Sequence, residues 1–528
     1  MEPWLDPVYD AAGMGRADRW AIDRAGIPSL ELMESAGRAL ADETAGIAGA
    51  GPVRVVCGKG NNGGDGLVAA RHLIESGHET EVVLLWPADQ LSPDSAANLA
   101  RLPMEVVTGA ESGAGSLADD ALSGSGAVID AVLGTGFEGK PKAPVDAAIE
   151  AMNGSGAPLV CCDVPSGVNA TTGEAGPAVS GDLTVTFHGL KVGHLIAPGK
   201  HLAGPVRVAD IGIPPDAPAG EAAGAIRPEV LGLLPSRGAT STKFSSGRVT
   251  VVGGSPGLTG AVCLAAEAAI RSGAGYATVA VPAGLEPVFE AKLTEVMSLG
   301  LRETGGQAAD GDRSGAAGIL GPWAGDQILE HAGSAAAVVL GSGIGRAAGV
   351  AELVRSLVAG LRAPLVLDAD GLGGLGTDLG PVASREGPTL LTPHPGEMGR
   401  LLGVESSEVE AHRLESAMKL ARESGAIVVL KGDDTIVTDG LKVAINALPA
   451  PALATAGTGD VLAGVCGAFL ARGLEPFEAA SAAVICHARA GRLAATGTGA
   501  AEGVVASDVA ASLPVAMSLA PLSDRSLE

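Results

Sequence analysis

The 528-residue chain is too long for one ordinary hydrophobic core, so two domains are expected. Its 60 acidic against 35 basic residues leave a formal charge of −25, which argues against nucleic acid or an anionic membrane as partner, and 2% aromatics remove the stacking platforms of a single-strand binder. The longest uncharged apolar run, after Asp460, falls short of the ~20 residues a membrane span needs, and Met1-Glu2-Pro3-Trp4-Leu5-Asp6 lacks the basic flank and apolar core of a signal peptide, so a cytoplasmic protein is expected.

In the first half, β-branched runs at 53–57, 80–86, 127–132, 158–162, 183–187 and 206–209 read as strands, with helical patterns between them at 29–44, 66–76, 93–102 and 143–152. Apolar strands separated by helices predict a parallel sheet covered on both faces. The first strand runs into Gly58-Lys59-Gly60-Asn61-Asn62-Gly63-Gly64-Asp65-Gly66, whose glycines are expected to form a loop that approaches a ligand and adopts φ > 0. The glycine spacing is not that of the dinucleotide fingerprint. Asp130 lies in the strand that leads into Leu133-Gly134-Thr135-Gly136-Phe137, and 158–162 ends in Asp163-Val164-Pro165-Ser166. These are the strand ends at which open α/β sheets bind ligands. Oxygens of Asn62, Asp130 and Ser166 suit a monovalent cation, which leaves Asp163 as a proton carrier; the alternative is that these acids only cap helices. The cysteines (57, 161, 162, 263, 466 and 486) sit in apolar surroundings without metal-ligand spacing and read as reduced core thiols.

A Pro/Ala/Gly stretch at 214–225 is the expected linker. Beyond it, strands are expected at 248–252, 276–281, 336–340, 364–368, 389–392, 426–431 and 435–438, and helices at 260–272, 350–361, 406–423, 460–471 and 476–495; the Gly/Ala/Asp-rich segment 303–318 is expected to be a surface loop. Sequence features that can carry chemistry follow the strands or open helices: 253–261, 341–346, 368–371, Thr392-Pro393-His394-Pro395-Gly396-Glu397, Leu430-Lys431-Gly432-Asp433-Asp434-Thr435, and Ala456-Gly457-Thr458-Gly459-Asp460-Val461. A glycine turn feeding a helix start aims unpaired N–H groups at one point, where the helix dipole favours a phosphoryl group. Asp460 would repel phosphate there, and a base facing a substrate hydroxyl is a chemical reason for its presence.

The glycine-asparagine segment, the strand ends carrying Asp130 and Asp163, the segment 29–38 and Phe187-His188-Gly189-Leu190-Lys191-Val192-Gly193-His194 together resemble the NAD(P)H-hydrate epimerase domain. The resemblance implies that Asn61, Asn62, Gly63, Gly64 and Asp65, with Gly134, Thr135, Gly136, Phe137, Glu138, Gly139 and Lys140, bind the damaged cofactor. It further implies that Asn62, Asp130 and Ser166 hold potassium and that Asp163 contacts the reacting ring. The second set resembles the ADP/ATP-dependent NAD(P)H-hydrate dehydratase domain, a ribokinase-like fold. Here the resemblance implies that Lys431, Gly432, Asp433, Asp434 and Thr435, with Gly457, Thr458 and Gly459, contact ADP or ATP carrying Mg²⁺. Gly260, Gly345, His394 and Asp460 would then face the hydrated nicotinamide, with Asp460 as base. Departures from the family pattern are Ser35 and Gly373 in place of asparagine, and Ala452 in place of glycine after a proline.

The expected fold class is therefore α/β, with two three-layer α/β/α domains: a Rossmann-like epimerase domain at 1–216 and a ribokinase-like dehydratase domain at 226–515. The substrates implied are hydrated NADH and NADPH together with ADP or ATP, and the family also implies a homo-oligomer. One alternative is a ribokinase-like kinase that stably phosphorylates a small alcohol. Another makes the first half a ligand-binding or scaffold module, although such a module has no need of Asn62, Asp65, Asp130 and Asp163 at strand ends.

Overall fold

A computed structural model of the chain describes residues 2–108, 121–215, 217–218, 220, 222–303 and 318–519. The expected loop at 303–318 lies outside the described residues except for its two ends, as do residues 216, 219 and 221 of the expected linker. The chain divides into two compact units, one of Pro7–Gly224 and one of Glu2–Asp6 with the described residues from Ala225 on.

In the first unit the strands lie in the spatial order Val107–Thr108, Thr80–Leu84, Val53–Cys57, Ala127–Ala131, Leu159–Cys162, Leu183–Phe187 and Val206–Ala209, all parallel. In chain order this is 3-2-1-4-5-6-7, the doubly wound arrangement, which reverses direction between Val53–Cys57 and Ala127–Ala131. Alternate strand residues feed two separate cores. Val55, Cys57 and Ile129 pack with Leu32, Leu40 and Leu67 on one face, while Val56, Val128 and Cys161 pack with Val145, Ile149 and Met152 on the other. Both faces are therefore covered, and the strands need no polar alternation.

The glycine-rich segment departs from expectation. Residues from Asn61 on are the start of the helix Asn61–Glu75 rather than a loop, and none of its glycines has a positive φ. The glycines serve close packing instead: a Cβ would lie 2.0 Å from the Gly58 carbonyl oxygen at Gly63, 2.6 Å from Met33 Sδ at Gly64 and 2.6 Å from Ala131 Cβ at Gly66. The helix can thus sit tightly on the sheet with its unpaired N-terminal N–H groups at the strand ends.

In the second unit the order is Met297–Leu301, Tyr276–Pro282, Arg248–Val252, Ala337–Leu340, Leu365–Leu367, Thr389–Leu391, Ile427–Leu430, Ile436–Thr438 and Val443–Ile445. Pairing is parallel as far as Ile427–Leu430 and antiparallel after it. Val249, Val251 and Val339 join the core that holds the helices Thr259–Arg271, Thr458–Ala471 and Pro476–Thr498, and their neighbours Val252, Val338 and Leu340 are also fully buried. The expected helix at 406–423 is broken into Ser406–Ala411 and Arg413–Ser424. His412 between them leaves the helical region, and Arg413 is buried against Asp434. Trp4 also belongs to this unit, 4% exposed and 6.1 Å ring to ring from Phe477.

The helix Thr458–Ala471 approaches Thr259–Arg271 closely enough that a Cβ at Gly464 would lie 2.1 Å from the Ala265 carbonyl oxygen. Gly464→Ala should therefore destabilise this unit by about 1–3 kcal/mol, the usual cost of overpacking. Denaturant unfolding should show a lower midpoint, and an unchanged midpoint would mean that the two helices are free to separate.

Candidate active sites

The first site lies where the doubly wound sheet reverses. A cleft of about 870 Å³ is lined by Asn61, Asn62 and Asp65 from the helix start, and by Gly134, Thr135, Gly136, Phe137, Glu138 and Lys140 from the segment after Ala127–Ala131. Asp163 and Lys191 also line it. Gly63 and Gly64 are buried beneath it, and Gly139 provides a left-handed turn at φ +87 between Glu138 and Lys140.

Asn62, Asp130 and Ser166 converge on Leu133. Asn62 Nδ2 donates to the Leu133 carbonyl at 3.0 Å, and the Leu133 N–H donates to Ser166 Oγ at 2.9 Å. Ser166 Oγ and N donate to the two Asp130 oxygens at 2.6 and 2.8 Å. Burial pushes the Asp130 carboxyl up to about 6, against hydrogen bonds from Ser166 and Val132. No cation acts on this fully buried acid among the described residues, and the neutral oxygens around one carboxylate fit a monovalent cation.

Asp163 follows the strand Leu159–Cys162 in a left-handed conformation, φ +66. Its Oδ1 accepts from Lys191 Nζ at 2.6 Å and from Thr186 Oγ1 at 2.9 Å. Burial opposes its charge, but the Lys191 ammonium, with smaller help from His194 and the Thr186 hydrogen bond, holds the carboxyl below its ordinary range. Asp65 and Asp18 behave oppositely: burial raises both, Asp65 well above the ordinary carboxylate range, with the Asp163 charge adding to it.

The second site gathers the C-terminal ends of consecutive parallel strands. Gly253 follows Arg248–Val252, Gly341 follows Ala337–Leu340, Asp368 follows Leu365–Leu367, Thr392 follows Thr389–Leu391 and Lys431 follows Ile427–Leu430. Asp368 Oδ1 accepts from Thr392 Oγ1 at 2.7 Å and from Lys431 Nζ at 2.9 Å. Glu397 Oε2 stands 3.6 Å from the same ammonium and accepts from the His394 N–H at 2.9 Å. His394 caps the helix Pro395–Leu402, its Nδ1 accepting from the Gly396 N–H at 3.0 Å. Gly345, at φ +84, donates its N–H to Asp370 Oδ2 at 3.2 Å, and Gly260 is exposed in the first turn of Thr259–Arg271.

Asp460 lies in the first turn of the helix Thr458–Ala471, whose cap Gly457 has φ +91. Burial, then the Asp368 charge, push its carboxyl up to about 6, while Lys431 pulls it down. Beside it a pocket of about 290 Å³ is lined by Lys431, Gly432, Asp433, Thr435, Thr458 and Gly459 on one side, and by Pro451, Leu453 and Leu462 among its apolar residues. Asp434 does not line the pocket, contrary to expectation: it is buried in an ion pair with Arg413 at 2.7 Å. Gly457 is not among the lining residues either. Ala452 takes the Cβ that family glycine lacks into the core, 3% exposed, so the flanking Pro451 and Leu453 can still line the pocket. A Cβ at Gly373 would meet nothing within 4 Å, which leaves open the space an asparagine would fill.

Several residues of these sites were not singled out by sequence. Asp368 and Glu397 stood inside expected motifs without a role. Lys191 and His194 lay in a segment noted only for its resemblance. Asp18 belongs to the helix Ala11–Asp23, whose N-cap Asp10 was the available signal. His487, which lines the second pocket, has an Nε2 buried without a partner among the described residues, and burial pushes its pKa down to about 4.

Both halves of the chain match known families. Residues 249–514 match the family model described as NAD(P)H-hydrate dehydratase, and residues 29–193 match that described as YjeF-related protein N-terminus. The chain is 39% identical over 505 residues to the bifunctional NAD(P)H-hydrate repair enzyme Nnr of Moorella thermoacetica, covering 92% of each chain. It is 40% identical to that of Salinibacter ruber, covering 92% of this chain and 91% of the relative. Among solved structures, the ADP/ATP-dependent NAD(P)H-hydrate dehydratase of Bacillus subtilis, co-crystallised with ATP/Mg²⁺, is 28% identical with a TM-score of 0.45, covering 54% of this chain and 94% of that one. With relatives this similar along nearly its whole length, the chain belongs to the family of bifunctional NAD(P)H-hydrate repair enzymes.

Proposed function

We propose that the domain at 1–216 interconverts the R and S 6-hydroxy forms of hydrated NADH and NADPH, and that the domain at 226–515 returns the S form to NAD(P)H with ADP or ATP. The observation that carries the second assignment is Asp460, a carboxyl poised at about 6, next to Thr458 and Gly459, which line the pocket with Lys431. Hydroxide is a poor leaving group, and a phosphoryl group on the C6 oxygen makes it a good one. Asp460 takes the hydroxyl proton as that oxygen attacks the terminal phosphoryl, whose bond to the bridging oxygen breaks to release AMP from ADP or ADP from ATP, and the Gly457–Gly459 N–H groups hold the phosphoryl in place. The ring nitrogen's lone pair then expels phosphate, and loss of the adjacent ring proton restores the dihydropyridine. Asp368 and Glu397 around the ammonium of Lys431 form an acidic donor set that suits Mg²⁺ carried by the nucleotide, where the ion would neutralise phosphate charge.

In the first domain Asp163 accepts the C6 hydroxyl proton as the C6–N1 bond opens to an aldehyde. The electron pair passes to the ring nitrogen and its conjugated carboxamide; closure on the other face of the aldehyde returns the proton. The helix start at Asn61 and the 134–140 segment bind the cofactor's phosphates and ring. A monovalent cation held by Asn62, Asp130 and Ser166 would balance the buried Asp130 charge. Potassium should accordingly raise the epimerisation rate more than sodium does. A rate independent of cation identity, with no ion located among those residues, would leave the site structural.

The deciding assay supplies mixed hydrate epimers with ADP or ATP and follows the return of dihydronicotinamide absorbance. Complete conversion of both epimers supports the reading. A stable phosphorylated product from a small alcohol, with no recovery of absorbance from hydrate, would replace it with a kinase. The buried, free cysteines support a reducing, cytoplasmic setting for this chemistry.

A further inference from the structure

We propose that Lys191 is a positioning residue of the epimerase site: its ammonium pins Asp163 Oδ1 and thereby leaves Oδ2 as the base that faces the hydrate ring. The proposal rests on the reading of Asp163 as the proton carrier, and it concerns a residue to which that reading gives no part.

The first support is the distribution of hydrogen bonds. Lys191 Nζ, Thr186 Oγ1 and the Phe187 N–H all donate to Oδ1, at 2.6, 2.9 and 3.5 Å. Oδ2 takes no hydrogen bond among the described residues, and Asp163 lines the cleft. The two oxygens of one carboxylate are therefore unequal, one saturated and one free.

The second support is the saturation of Lys191 itself. Its ammonium has three donors, and three acceptors are in place: Asp163 Oδ1, Thr186 Oγ1 at 2.8 Å and the Phe187 carbonyl at 2.9 Å. At 1% exposure, all three donors are thus engaged within the protein. The residue is placed by strand Leu190–Lys191, which pairs in parallel with Val8 and Tyr9.

His194 completes the device. The Lys191 backbone N–H donates to His194 Nδ1 at 3.1 Å, so the ring proton must be on Nε2, which lies 2.8 Å from the Asp163 carbonyl oxygen. One neutral tautomer thus fastens the backbone of Asp163 in its left-handed conformation, which a non-glycine residue seldom adopts unaided. Burial, then the Lys191 charge, keep that imidazole neutral, its pKa lowered to about 4.

The other groups around the pair do not cancel the ammonium. Asp18 on the helix Ala11–Asp23 and Asp65 on the helix Asn61–Glu75 are raised by burial, as is the Cys162 thiol, and burial lowers His188. Lys191 is thus the cation that sets the ionisation of Asp163. Without it, burial is opposed only by His194 and the Thr186 hydrogen bond, and the carboxyl rises.

The test is Lys191→Met in the full chain, with the pH dependence of epimerisation measured by chiral separation of the hydrates. Each unit by which the Asp163 pKa rises above the working pH lowers the rate about tenfold. The expected result is a rate at pH 7 reduced at least tenfold, recovering as pH rises, with the acid limb of the profile moved up. Dehydration of the S epimer by the same preparation stays at the wild-type rate. A wild-type profile, or a loss equal at every pH, overturns the proposal. If the methionine variant does not fold, Thr186→Val decides: a smaller shift of the acid limb in the same direction supports the proposal, and an unmoved limb overturns it. Asp163→Asn separates the two readings. Retained epimerisation in that variant removes Asp163 from the mechanism, whereas its loss together with a wild-type profile for Lys191→Met removes only Lys191.

Discussion

Asp460→Asn is expected to yield a chain that binds nucleotide and epimerises hydrate but does not dehydrate it. The substitution keeps the size of the side chain at the first turn of Thr458–Ala471 and removes its basic oxygen. Nucleotide contacts through Lys431, Gly432, Asp433 and Thr435 are untouched, because those residues line the pocket independently. Loss of a positioned general base costs about 10²–10⁴ in rate, well beyond what a mild folding defect would mimic. The environment adds a pH signature. Burial and Asp368 raise the Asp460 carboxyl to about 6, so the base is charged above that pH and wild-type dehydration should fall as pH drops through about 6. Removing the charge also relieves its repulsion with phosphate, so ADP should bind as well or slightly more tightly. Stopped assays of NADH recovery alongside nucleotide titration would read both effects. Repair within a few-fold of wild type would make Asp460 a helix-terminal acid and nothing more.

Asp163→Ala is expected to reduce epimerisation to the spontaneous rate while dehydration of the S epimer continues at its normal rate. The separation follows from placement: Asp163 belongs to the first compact unit and the dehydratase residues to the second. The alanine variant also removes the ion-pair partner of Lys191, which is 1% exposed, and leaving a buried ammonium unpaired is strongly destabilising, by about 3–5 kcal/mol. A lower unfolding midpoint for the first domain is therefore part of the prediction, and assays should run well below it. Hydrate epimers separated over time provide the measurement. Interconversion above the uncatalysed rate in folded Asp163→Ala would take the residue out of the mechanism.

Much of the architecture was legible before any coordinates. The strands at 53–57, 183–187, 206–209 and 248–252 lie where the β-branched runs predicted them, because buried parallel strands are continuous apolar runs that stand out from helical patterning. The rule that ligands gather at the C-terminal ends of such strands then pointed to Asp130, Asp163, Lys431 and the start of the helix bearing Asp460. What escaped was of a different kind. The helix Ala11–Asp23 carries Gly13 and Gly15, which dilute its apolar period, and the two-residue strand Leu190–Lys191 is too short to show a period at all. The glycines at 63, 64 and 66 looked like freedom and are contact, a distinction that depends on Met33, Gly58 and Ala131 standing within 2.6 Å of the missing Cβ atoms.

By itself the sequence determined the α/β class and the order of strands along the chain, and pointed to the strand ends for the candidate sites, because these rest on local period and on motifs a few residues long. Only the tertiary structure decided which charges face one another. Asp163 meets Lys191 28 residues later, Lys431 meets Asp368 across 63 residues, and Asp434 turns from the expected nucleotide site to Arg413. Two carboxyls of identical chemistry, Asp163 and Asp460, are thereby pushed to opposite sides of their ordinary range. The reason is that ionisation depends on burial and on the nearest opposite charge, and both are properties of the packed chain that no stretch of sequence contains.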